Sequence, residues 1–158
     1  MVYERLNSRG IPLVIHEARL IEVSYEKGAE RMATFWTIIQ DIRKNSYTER
    51  DKGTRFERLI RNYLKTSKKY EILLEEVWLW NEFPYRRAFG GSDTGVDLVA
   101  LTKDGQYWAI QCKCYAKNTV IDKAAVDSFL STSSRQFTDD NMEKKNFSSR
   151  IWFATNNR

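Results

Sequence analysis

With 158 residues, 42% of them hydrophobic and 13% aromatic, the chain has the length and composition of one globular domain with a real core, which excludes a disordered polymer. No apolar run approaches a membrane span and nothing at the start has the charged, apolar, then small-residue order of a signal peptide, so a cytoplasmic protein without a membrane partner is expected. The formal charge of +5 fits a nucleic-acid partner, and a single histidine, His16, excludes His-based triads and multi-histidine metal sites.

Residues 1–31 differ from the rest: five basic side chains (Arg5, Arg9, Arg19, Lys27, Arg31) balance five acidic ones (Glu4, Glu17, Glu22, Glu26, Glu30), so the whole net charge belongs to residues 32–158. Lys27-Gly28-Ala29 can be encoded by a purine-rich sequence like a ribosome-binding site, a few codons before Met32. Two alternatives stand: residues 1–31 are an N-terminal extension translated as leader or added in cloning, or they are a genuine N-terminal strand or arm. Leu13-Val14-Ile15, just after Pro12, and Leu20-Ile21-Glu22-Val23 can each form a short strand.

Over residues 34–44, Phe35, Trp36, Ile38, Ile39 and Ile42 recur at helical spacing and predict an amphipathic helix. Residues 45–52 are polar and predict a connection. A second helix is expected over 53–64, where Phe56, Leu59, Ile60, Tyr63 and Leu64 form a broad apolar stripe with Thr54 as its cap. Glu57 lies at the border of that stripe, four residues before Arg61, a spacing common for exposed ion pairs. Residues 65–69 read as a basic helix end, and residues 72–80 as a strand centred on Val77-Trp78-Leu79. A loop over 81–94 carries Pro84, Arg86, Arg87, Phe89 and Gly90-Gly91. It is either a solvated loop or a contact to a phosphate backbone. Asp93 suits a turn.

Val96 to Leu101 is aliphatic except at Asp97, and 107–115 alternates well enough to be its hairpin partner across Lys103-Asp104-Gly105. A two-residue turn would set Asp97 opposite Cys112, whereas a three-residue loop with Gly105 in the left-handed position pairs it with Gln111. On the second register Asp97, Gln111 and Lys113 share a face, and Trp108, Ile110, Cys112 and Cys114 make an apolar face suited to packing under a helix. Cys112 and Cys114, two apart on one strand, suit neither a disulfide framework nor zinc and are expected to be reduced core thiols. After a short connection over 117–121, Asp122 can cap a helix to about Arg135 with Ala125, Phe129 and Leu130 facing inward. Residues 136–149 predict a polar, charged, mobile stretch, and Ile151-Trp152-Phe153-Ala154 a last strand. The resulting order is helix, strand, hairpin, helix, strand.

A carboxylate and a second oxygen donor converging near a lysine can hold Mg²⁺ against a phosphate while the ammonium positions a water. Asp97 followed after a hairpin by Gln111-Cys112-Lys113 resembles the D-(n)-QxK variant of the PD-(D/E)XK nuclease motif of Mrr-like restriction endonuclease domains. The flanks Val77-Trp78-Leu79-Trp80, Ser92-Asp93-Thr94-Gly95-Val96-Asp97-Leu98-Val99-Ala100, Trp108-Ala109-Ile110-Gln111-Cys112-Lys113 and Val126-Asp127-Ser128-Phe129-Leu130 are similar to the N-terminal nuclease domain of Type ISP restriction-modification enzymes. This resemblance covers roughly residue 53 to the end. It implies an α/β fold with the PD-(D/E)XK core, αβββαβ, a mixed central sheet flanked by helices, and Mg²⁺-dependent hydrolysis of double-stranded DNA.

By the same resemblance Asp97 is the main metal ligand, Gln111 a second one through its side-chain oxygen, the Cys112 carbonyl a further ligand, and Lys113 the water-positioning and charge-stabilising group. Glu57 becomes an auxiliary ligand. Arg86, Arg87 and Lys117 are the candidate DNA contacts. Gln111 replaces the commoner acidic residue, a departure shared with Mrr-like members. Asp127-Ser128 belongs to the resemblance without a chemical role and is expected to be structural. The nuclease domain, 32–158, is then a part of a larger polypeptide whose helicase-like motor, the only user of ATP, methyltransferase and target-recognition domains lie elsewhere. The alternatives are a free-standing Mrr-like or junction nuclease, and a catalytically inactive DNA-binding or docking module on the same fold.

Overall fold

The computed structural model describes residues 2–6, 12–17, 35–90, 94–116 and 118–155. Asp93, Lys117, the expected strand at 20–23 and the start at Met32 lie outside them. Among the described residues eight strands and four helices follow in the order β1 (Val2–Leu6), β2 (Pro12–Glu17), α1 (Phe35–Asn45), α2 (Glu49–Thr66), α3 (Lys68–Glu71), β3 (Leu74–Leu79), β4 (Leu98–Thr102), β5 (Tyr107–Lys113), α4 (Lys123–Ser133), β6 (Phe137–Thr138), β7 (Lys144–Lys145) and β8 (Phe147–Ala154).

One six-stranded sheet has the order β1-β2-β8-β5-β4-β3. The run β3-β4-β5 is an antiparallel meander, α4 carries the chain over to β8, and β8 returns parallel to β5. From α2 onward this is the expected αβββαβ order on a mixed sheet. The β1–β2 hairpin extends the sheet, β2 lying parallel to β8. Pro12 is tolerated because it opens β2, where a missing N–H interrupts no interior ladder bond.

Two apolar layers hold the sheet. On one face Ile39 of α1 and Phe56, Ile60 and Leu64 of α2 pack on Val77, Leu98, Ala100, Ile110, Cys112, Ile151 and Phe153, with Trp108 and Cys114 at the margin. The apolar face expected of the hairpin therefore lies under a helix. On the other face Phe129 and Leu130 of α4 cover Val99, Ala109 and Trp152, joined by Phe83 and Phe89 from the loop after β3. Helix α4 begins as expected, with the Asp122 carboxylate accepting from Ala124 N–H. No helix among the described residues is long and apolar enough to cross a membrane.

Two expectations are corrected. Helix α2 begins at Glu49, not at residue 53, and Thr48 rather than Thr54 is its cap, accepting from Asp51 N–H at 3.0 Å. The Asp51 carboxylate in turn accepts from Tyr47 N–H, so local capping bonds draw the polar stretch before the apolar stripe into helix. Residues 136–149 are a built hairpin, β6–β7, leading into a last strand that starts at Phe147. Phe137 and Phe147 bury into the second layer and stack around Phe83 and Phe89. The turn between them is tied by Asp139, which accepts from Asn141 and Glu143 N–H and faces Lys145 at 3.6 Å. A sequence pattern dominated by charge conceals two aromatic anchors ten residues apart.

Candidate active site

The hairpin register decides where the polar trio goes. Leu98 pairs with Ile110 and Leu101 with Tyr107, Thr102 N–H bonds Gln106 O at 2.8 Å, and Gly105, at φ +84°, donates back to Thr102 O at 2.9 Å. The loop is thus the three-residue Lys103-Asp104-Gly105, closed by a left-handed glycine; the paired register ends at Leu98 opposite Ile110, and Asp97, one residue beyond it, meets Gln111 through its side chain. Just before β4 the backbone of Asp97 is fixed on both sides: its N–H bonds Ile110 O at 2.9 Å and its carbonyl accepts from Trp80 N–H at 2.8 Å.

One carboxylate oxygen of Asp97, Oδ2, accepts from Gln111 Nε2 at 2.6 Å and from the backbone N–H of Cys112 at 2.7 Å. The side chain thus serves as the acceptor that the ladder lacks at this point. Gln111 is 2% exposed. Its amide must turn nitrogen to the carboxylate, since two acceptors cannot bond, and this leaves Oε1 buried with no donor among the described residues. A buried amide oxygen without a partner beside an aspartate is an uncommon arrangement.

Lys113 follows at the end of β5, and Glu57 reaches the same end of the sheet from α2. Burial raises the Glu57 carboxyl above its ordinary range, against the pull of the Lys113 ammonium and then of Arg58. Burial also pushes the Cys112 thiol well up, and the charges of Asp97 and Glu57 push it further while Lys113 opposes them. Two carboxylates and one ammonium therefore bear on a single point of β5. Cys112 and Cys114 are free thiols, as expected.

Arg86 and Arg87 stand apart, exposed on a 3₁₀ turn, Arg86–Phe89. That turn is anchored from beneath: Phe89 packs on Trp80 and Phe137, and Arg135 donates to the carbonyls of Phe89 at 2.7 Å and Ala88 at 3.3 Å. Nothing in the sequence pattern singles out Arg135. Nor does it reveal why Gly95 and Ser128 both matter. Gly95 has φ +68°, and a Cβ there would stand 3.1 Å from Phe129 N and 3.2 Å from Ser128 Oγ. Helix α4 is therefore pressed against the segment that leads into Asp97, which accounts for Ser128 as a packing residue.

The residues present fit a hard divalent cation. The donors are all oxygen: the Asp97 and Glu57 carboxylates, the partnerless Gln111 Oε1, and the Cys112 carbonyl between Gln111 and Lys113. Among the described residues no three of His, Cys, Asp and Glu gather as a metal site, so such a centre would rest on two carboxylates completed by amide oxygens.

Residues 65–158, more than half of the chain, match the family model described as restriction endonuclease. The chain belongs to that family, and with the αβββαβ core it is an Mrr-like PD-(D/E)XK domain. The matched span contains Asp97, Gln111 and Lys113 but stops short of Glu57. No curated protein matches the chain. Among solved structures it is similar to one titled "ATP-dependent Type ISP restriction-modification enzyme LlaBIII bound to DNA", with 30% sequence identity and a TM-score of 0.46 over 73% of this chain. The chain spans 6% of the length of that protein.

Proposed function

We propose that this domain is a Mg²⁺-dependent endonuclease that hydrolyses phosphodiester bonds of double-stranded DNA. The observation that carries the reading is the junction of Asp97, Gln111 and the Cys112 N–H at the end of the sheet, with Lys113 and Glu57 bearing on the same point. Asp97, Gln111 through Oε1, Glu57 and the Cys112 carbonyl would hold the cation. When bound, Mg²⁺ would offset phosphate charge and favour ionisation of a water. Lys113 orients the attacking water by hydrogen bonding and places an ammonium beside the negative charge that develops on the phosphoryl oxygens. Asp97, held by two N–H donors, cannot swing away, so the geometry needs no reorganisation as charge develops. Arg86 and Arg87 on their anchored turn, and Lys117, contact backbone phosphates.

The wider assignment is part of the same proposal. Residues 32–158 form the nuclease domain and residues 1–31 an extension whose hairpin docks on the sheet. The domain serves a cytoplasmic, ATP-dependent single-chain restriction-modification enzyme, with motor, methyltransferase and target-recognition domains as its partners. The test is nicking of supercoiled plasmid with Mg²⁺ and with EDTA, wild type beside Asp97→Ala. Mg²⁺-dependent nicking that Asp97→Ala abolishes supports the reading; equal nicking by both proteins ends it.

A further inference from the structure

Gly53 poses a question that neither conformation nor packing answers. It lies inside α2, more than a turn from Thr48, where glycine is the least favourable residue after proline. Its backbone is not among the left-handed glycines, Gly90, Gly95 and Gly105. Among the described residues, a Cβ built on it meets a single atom, Glu57 Oε1, at an ordinary 4.0 Å. The described residues leave room for alanine here, and helix propensity favours it. A remaining use for a missing side chain is the close approach of a ligand to the helix backbone.

The surroundings say what kind of ligand. Gly53 is one turn before Glu57, on the flank of α2 that leads into the candidate site. Most basic residues of this helix are spoken for: Lys52 pairs with Glu49, Arg55 with Asp51, Arg61 with Glu82 and Lys65 with Glu76. Arg50 is exposed and makes no ion pair among the described residues. It stands seven residues before Glu57, two turns or on the order of 10 Å along the same face. That separation lets a strand whose phosphate is at Glu57 offer Arg50 another of its phosphates.

We propose that the Arg50, Gly53 and Glu57 face of α2 is a wall of the substrate cleft, against which the sugar–phosphate backbone of DNA lies directly on the helix at Gly53 while Arg50 holds a phosphate near the one cut. The proposal rests on the nuclease reading above and adds a contact surface to it, outside the span that matches the family. Glycine here trades helix stability for access.

The experiment pairs thermal melting with binding of a fluorescent duplex to the full chain in EDTA, at matched salt. Gly53→Ala should raise the melting temperature by about 2–4 °C, as helix propensity dictates. The same variant should lose at least about fivefold in affinity for the duplex, the lower range of a one-methyl steric conflict. Gly53→Val should lose more. Arg50→Ala should lower the slope of log affinity against log salt by about 1. Three results overturn the proposal: a stabilised Gly53→Ala that binds like wild type, a destabilised Gly53→Ala, and a wild type that fails to bind duplex at low salt. Binding in EDTA involves no cleavage, so failure here and failure of the plasmid assay are separate outcomes.

Discussion

Asp97 has a structural role and a proposed catalytic one, and the substitutions that separate them are specific. Its Oδ2 accepts two N–H groups, so Asp97→Ala strands a buried Cys112 N–H and should cost about 1–3 kcal/mol of stability as well as activity. Asp97→Asn keeps an oxygen for that donor. It should melt close to wild type and still fail to cleave, because the charge that opposes Mg²⁺ dehydration is gone. Gln111→Glu should do the reverse: without metal it sets two carboxylates 2.6 Å apart, lowering the melting temperature, and with Mg²⁺ it should recover more degrees than wild type does. Lys113→Ala should keep duplex affinity and lose cleavage. Melting with and without Mg²⁺ beside a nicking assay, with duplex binding in EDTA for Lys113→Ala, checks all four.

Glu57 supplies a pH test. Its pKa is raised above 4.5, chiefly by burial, so the folded state holds this proton more tightly than the unfolded chain. Its favourable contribution is complete below the ordinary value and is lost as pH rises through the raised one. Glu57→Gln cannot ionise and escapes that loss. In EDTA, its melting temperature relative to wild type should therefore climb from acid to neutral pH, and a constant difference would show that the carboxyl is not desolvated.

Among the elements, the hairpin was legible because two independent patterns agreed: the alternation of Trp108, Ile110 and Cys112, and a glycine placed to close a three-residue loop. Capping deceived where sequence offered two threonines. Thr48 wins over Thr54 because Asp51 donates its N–H to the Thr48 hydroxyl while its carboxylate accepts from Tyr47 N–H just before the cap, a relation visible only as Tyr-Thr-x-x-Asp. Thr48→Ala should accordingly cost about 1 kcal/mol, and Thr54→Ala little, measured by urea unfolding. The polar trio was legible as a face, but not that α4 covers most of that face and leaves only its end to the site. Gly95 sets how closely α4 can sit. Gly95→Ala combines a strained φ with a 3.1 Å conflict at Phe129 N, and should cost about 2 kcal/mol or more while displacing the approach to Asp97. Activity should then fall further than the stability loss explains, at temperatures where the variant is still folded.

At the scale of the molecule, one centre of the proposed kind would cut one strand. Among the described residues the carboxylates, Gln111 and Lys113 converge once, at the end of β5, and hydrolysis of one phosphate there would leave the opposite strand intact. The basic groups proposed to meet DNA, Arg86, Arg87, Lys117 and Arg50, are suited to phosphates, and none lies on a recognition helix or zinc finger that could read base edges. Binding should be weak, steep in salt and tolerant of sequence. A complex that tolerates any sequence releases a nicked plasmid more often than it finds the site across from the nick. Supercoiled plasmid should therefore pass into open circles that accumulate before linear DNA appears, and raising protein concentration should speed nicking without producing clean linear product at early times. Affinities for two unrelated duplexes of equal length should agree at matched salt. Prompt conversion of supercoiled to linear DNA by the isolated chain would mean two centres acting together, and would favour a free-standing nuclease over a domain that depends on a motor to bring it to its substrate.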